Sequence, residues 1–75
     1  MSQESIVNLI GILSPFCLMK IKQLLLGLGR GERLQILLQD SEVIDDLKRI
    51  VDCSSDHIVN IEKEQNHFKI LIQKG

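Results

Sequence analysis

Along the chain the apolar positions change period repeatedly, and each change marks an element. Ser5 to Leu9 (SIVNL) is short, β-branched and partly alternating, which predicts a strand. Gly11 breaks that run. Ser14-Pro15 is a helix-start signal: a serine hydroxyl accepts a hydrogen bond from a free N–H of the first turn, and proline at the first helical position gives up no hydrogen bond. From Pro15 to Leu28 the apolar residues recur at helical spacing. Cys17, Ile21, Leu24 and Leu28 form one stripe, Leu18 and Leu25 widen it, and Lys20, Lys22 and Gln23 fall away from it. Gly27, Gly29 and Gly31 mark the exit. Arg33 to Gln39 holds Ile36, Leu37 and Leu38 in succession, which predicts a strand buried on both faces. Asp40 or Ser41 then caps a second helix over roughly Glu42 to Cys53. Its inward stripe is Val43, Leu47, Ile50 and Val51, while Asp45, Asp46, Lys48 and Arg49 face water. Ser54-Ser55-Asp56 reads as a turn, His57 to Ile61 as a strand, Glu62 to Asn66 as a polar hairpin connection and Phe68 to Ile72 as the last strand.

The order of elements is β-α-β-α-β-β. A strand, helix and strand in succession imply parallel pairing with a right-handed crossover, and the last two strands form a hairpin. The expected fold is a two-layer α/β (α+β) sandwich, with two helices packed on one face of a four-stranded mixed sheet. No linker, repeat or low-complexity segment divides the chain, so residues 1–75 are expected to form a single domain. A chain of this size buries only about 60% of its unfolded surface and needs a rich core. Here 44% of residues are apolar, mainly Leu and Ile, and 25% are charged, which excludes a disordered chain.

The net charge of −1 argues against broad electrostatic binding of nucleic acid or anionic membrane. Lys20, Lys22, Arg30, Arg33, Lys48 and Arg49 read first as wet helix faces and edges, and two Phe offer little for base stacking. The uncharged stretch from Ser5 to Met19 is shorter than the ~20 residues of a spanning helix and holds Asn8, Gly11, Ser14 and Pro15. Glu4 stands where a signal peptide carries positive charge, so neither a membrane segment nor a cleaved leader is expected. Two cysteines do not make a disulfide framework, which favours free thiols and a cytoplasmic setting. Cys17, Cys53, His57 and His67 lack the paired close spacing of a zinc site; no metal and no cofactor is expected.

Four stretches together resemble the TusA/SirA-like small sulfur-carrier family, over about Ile6 to Gly75. They are Val7-Asn8-Leu9-Ile10-Gly11-Ile12-Leu13-Ser14-Pro15, the lysine-bearing Leu18-Met19-Lys20-Ile21-Lys22, Arg30-Gly31-Glu32 with Asp40 after the next strand, and the closing Phe68-Lys69-Ile70-Leu71-Ile72-Gln73-Lys74-Gly75. The family pattern is Asp-x-Arg-Gly, two residues, then Cys-Pro-x-Pro. Its cysteine, at a helix N-terminus, carries a persulfide sulfur between donor and acceptor proteins. That position suits the chemistry, because the helix dipole and unpaired N–H groups favour a thiolate. Here Asn8 replaces the Asp, Ile10 the Arg, Ser14 the cysteine and Cys17 the second Pro, while Gly11 and Pro15 remain. The resemblance thus implies the family's scaffold without the group that holds sulfur, since a serine hydroxyl forms no persulfide.

Each candidate residue has a structural alternative. Ser14, at the family cysteine position, reads better as a helix N-cap than as a nucleophile, which needs a general base in reach. Cys17 is either a displaced sulfur carrier near the same helix end or a buried small hydrophobe heading the Ile21 stripe, and burial carries more weight. Cys53 ends the second helix, where the dipole disfavours a thiolate. His57 and His67 have no placeable carboxylate partner and read as solvated or capping. The aliphatic run Leu9-Ile10-Gly11-Ile12-Leu13, with Pro15, and with Met19 and Leu26 off the core stripe, is either an exposed binding surface or a lid on a small core. Three functions follow. The first is a family member without the thiol that binds a protein partner, from a sulfur relay or as a homodimer. The second is an active carrier using Cys17. The third is a small-ligand or RNA-binding module on the same scaffold.

Overall fold

The computed structural model describes residues 4–13 and 15–75. Its elements are β1 (Glu4–Asn8), α1 (Phe16–Leu26), β2 (Arg33–Leu38), α2 (Ser41–Asp52), β3 (His57–Lys63) and β4 (Phe68–Gln73). They occur in the expected order and form one mixed sheet, β1-β2-β4-β3. β1 runs parallel to β2, and β4 is antiparallel to both β2 and β3. The crossover from β2 through α2 therefore lands on β3, and the closing hairpin inserts β4 between them.

One core joins both helices to one face of the sheet. α1 contributes Cys17, Ile21 and Leu25, α2 contributes Val43, Ile44, Leu47 and Val51, and the sheet contributes Leu34, Ile36, Leu38, Ile70 and Ile72. β2 alternates strictly between buried and half-buried positions instead of being buried on both faces. Two helices cover one face only, so Arg33, Gln35 and Leu37 are left partly open on the other. Within the helices the inward stripes shift slightly. Leu25 rather than Leu24 is fully packed in α1, and Ile44 rather than Ile50 in α2. α1 also ends earlier than its apolar run. The Gly27 N–H is shared between the carbonyls of Gln23 and Leu24, and Leu28 N–H bonds to Leu25 O, so the last turn tightens and stops.

α2 begins as expected at Asp40, whose extended backbone and Oδ1, accepting from the Glu42 N–H at 2.9 Å, make it the N-cap. Asp40→Ala is expected to cost about 1 kcal/mol in a denaturant melt. At the other end of the molecule, Asp56 is more than a turn residue. It is nearly buried, accepts from the Gly75 N–H at 3.0 Å through Oδ1, and lies 3.2 Å from Ser54 Oγ through Oδ2. Lys74 Nζ sits 4.0 Å away. This carboxylate ties the C-terminal residues to the start of β3.

Candidate functional site

The described part of the connection from β1 to α1 is held by one side-chain and two backbone hydrogen bonds. Asn8 Oδ1 accepts the Ile10 N–H at 2.9 Å, a side-chain turn of the kind asparagine favours. Leu9 N–H donates to Leu37 O at 2.8 Å, which pins the turn to β2, and Ile12 N–H closes it on Leu9 O at 3.2 Å. Gly11 takes φ +86°, in the left-handed region, with open space around it. A side chain there meets no neighbour, so the cost of one is backbone strain alone. Gly11→Ala is expected to destabilise by roughly 1–2 kcal/mol in a thermal or urea melt without altering the core.

Helical hydrogen bonding then starts at once. Leu13 O accepts from Cys17 N–H and Pro15 O from Met19 N–H, both at 3.0 Å. The helix runs from Phe16, so Pro15 takes the cap position rather than the first helical one, and no side chain caps it. Ser14, and the cap expected of it, lie outside the described residues.

The turn divides its aliphatic residues. Leu9 packs into the core, Ile10 is half-buried, and Ile12 and Leu13 are exposed, Leu13 to 74%. Pro15 and Gly11 are exposed as well. Met19 and Leu26 are open on α1, and so is Phe16 at 64%. Phe16 was not singled out in the sequence. Its signal was available: it stands three residues before Met19 and ten before Leu26, on the side of the helix away from Cys17 and Ile21.

Cys17 lies beneath this surface and is fully buried. Burial pushes its thiol above the ordinary pKa, and the Asp40 carboxylate pushes in the same direction. The two effects oppose the helix N-terminus, and the protonated form is favoured in the folded chain. Because the folded pKa is raised, this preference costs nothing below the ordinary thiol pKa. Above about pH 8.5 the unfolded chain ionises while the folded chain stays protonated, so stability falls. Cys17→Val is expected to remove that alkaline loss in urea melts across pH 7–10; an unchanged slope would assign it elsewhere.

Between the turn, Cys17 and the Leu38–Asp40 corner is a cavity of about 200 Å³. That is below the ~300–1,000 Å³ of ordinary small-molecule sites. Cys53 is exposed at the end of α2, far along the chain from this end of the sheet. His57 is exposed and His67 half-buried, on β3 and in the hairpin turn. The structure therefore gathers Ile10, Gly11, Ile12, Leu13, Pro15, Cys17 and Met19 at one end and leaves Cys53 and the histidines outside that group. Among the described residues no cluster of three His, Cys, Asp or Glu side chains is placed to hold a metal, and no helix is long and apolar enough to cross a membrane.

The family model for sulfurtransferase TusA matches residues 5–74. The chain belongs to the TusA family. Members of the family act in sulfur relay with protein partners. Its fold is shared with the crystal structure of a SirA-like protein from Desulfitobacterium hafniense: the TM-score is 0.81 at 18% identity, covering 97% of this chain and 99% of that one. No curated protein matches the chain. The match takes in α1 to β4 and all of β1 but Glu4, so the turn, Gly11 and the start of α1 fall inside the family's region.

Proposed function

We propose that this TusA-family protein has kept the carrier scaffold, has lost the sulfur-holding thiol at position 14, and works by holding a protein partner at the β1–α1 end. The observation that carries this reading is the division of labour around Gly11. The thiol nearest this end, Cys17, is buried and held protonated, while Ile12, Leu13, Phe16 and Met19 stand open to solvent. A persulfide carrier needs an accessible thiolate. Exposed apolar side chains gathered at one end of a domain are what a binding surface presents. Ser14 supplies no sulfur nucleophile in place of Cys17.

Immobilised wild-type protein is expected to retain a partner from a sulfur-relay preparation. Ile12→Arg should reduce that retention at least 10-fold, with an unchanged melting curve. Ile12 is exposed, so the substitution leaves the core intact. Retention unaffected by Arg at position 12, or uptake of sulfur by Cys17 in the wild-type chain, would overturn the reading.

A further inference from the structure

α1 is apolar on two opposite sides. At about 100° per residue, Cys17, Ile21 and Leu25 point to the core, while Phe16, Met19 and Leu26 fall within an arc of about 80° on the far side, with Gln23 among them. Phe16 to Leu26 spans about 15 Å of helix. Of the seven exposed large apolar residues among the described residues, Phe16, Met19 and Leu26 form this ridge, and Ile12 and Leu13 lie in the turn that precedes it.

Within the helix, the charged residues that border the ridge are all basic. Lys20 borders it on the Phe16 side and Lys22 on the Leu26 side, and Arg30 follows just past the helix; all three are exposed. Between Ser5 and Gly31 there is no Asp or Glu at all. A surface that docks here must fill an apolar strip and meet positive charge on both borders.

Resting on the protein-binding reading above, we infer that α1 seats a different protein, one that presents an apolar helical ridge bordered by Asp and Glu. A second copy of this chain is a poor occupant. Two α1 helices face to face place Lys20 and Lys22 against their equals, with no acid on the ridge to pair them, and like charges across an interface oppose it. α2 does not serve either. Its acids Glu42, Asp45 and Asp52 are exposed, but its apolar residues Val43, Ile44, Leu47 and Val51 are used in the core. The two remaining exposed apolar residues, Ile6 and Val59, lie on β1 and β3, at opposite edges of the sheet. Acidic borders on the partner complete the strip, speed encounter and fix its direction along α1.

The test places a photo-reactive benzoylphenylalanine at position 16, 26 or 12 of the full chain in the cells it comes from, and reads the cross-linked residues by mass spectrometry. The expected result is cross-links from positions 16 and 26 to one partner helix, at apolar residues with Asp or Glu within a turn. Lys20→Glu with Lys22→Glu should cut their yield at least 10-fold. Cross-links to the chain itself, yields unmoved by the charge reversal, a partner surface without acids, or capture by phosphatidylglycerol vesicles in place of protein would each overturn the inference. A cross-link from position 12 without any from 16 or 26 would overturn it and leave the protein-binding reading standing. No protein cross-link from any of the three would overturn both.

Discussion

Leu47→Ala is expected to remove about 2–5 kcal/mol of stability, the usual cost of truncating a packed leucine. Leu47 has no exposed surface and stands in the middle of the inward face of α2. The cavity it leaves has little room to collapse. It belongs to the cluster that joins α2 to Leu34, Ile36, Ile70 and Ile72 on the two central strands, which are fixed in register on both sides. For a chain of 75 residues, ordinary stability is about 4–11 kcal/mol, so this single change takes away a large share of it or unfolds the protein. Leu26→Ala is the matched control. Leu26 is 81% exposed on α1, and its truncation should stay within about 0.5 kcal/mol. Urea melts of the two variants with equal slopes measure both; a Leu47→Ala loss below 1 kcal/mol would mean that the helical layer does not hold the sheet as described.

The second large effect is a gain of chemistry. Ser14→Cys is expected to create a thiol whose alkylation rate rises with a midpoint well below the ordinary ~8.5. In sequence, position 14 directly precedes Pro15, the cap of α1, and a thiol next to a helix N-terminus is favoured as its anion by the dipole. The flanking carbonyls of Leu13 and Pro15 already accept helical N–H bonds, so the turn's geometry does not depend on a side chain at 14 for those contacts. Iodoacetamide rates between pH 5 and 9 read it; a midpoint at the ordinary value would mean that this scaffold no longer supports thiolate chemistry at the turn.

Much of the architecture was legible in the sequence because the period of the apolar residues changes cleanly between elements. Val43 and Leu47 at helical spacing, with Asp40 as a capping residue before them, located α2 to within a residue or two. Strand β2 was misjudged for a definite reason. Three successive apolar residues, Ile36-Leu37-Leu38, look the same whether the second face is covered by another layer or left half-open, and that depends on how many helices the chain supplies. The site was legible in outline from Gly11 and Pro15, which hold the turn. Its division was not. Leu9 turning inward while Ile12 turns outward follows from the Leu9 N–H bond to Leu37 O and the positive φ of Gly11, both long-range or conformational facts. Phe16 was hidden by the inward stripe beside it. A helix with apolar residues on two sides gives a blurred period, and the outer set is easily taken for slack in the inner one. The Asp56 clamp on Gly75 joins residues nineteen apart through one backbone N–H, and the turn sequence itself gives no sign of it.

The most direct measurement is the intact mass of the wild-type chain beside Ser14→Cys, each incubated with a persulfide donor and then with a reductant. No mass change is expected for the wild type. Ser14→Cys should gain one sulfur atom and lose it on reduction. Reversible sulfur uptake by the wild-type chain, mapped to Cys17, would contradict the proposed function: the buried thiol would then be the carrier, and the surface above it a lid rather than a docking face.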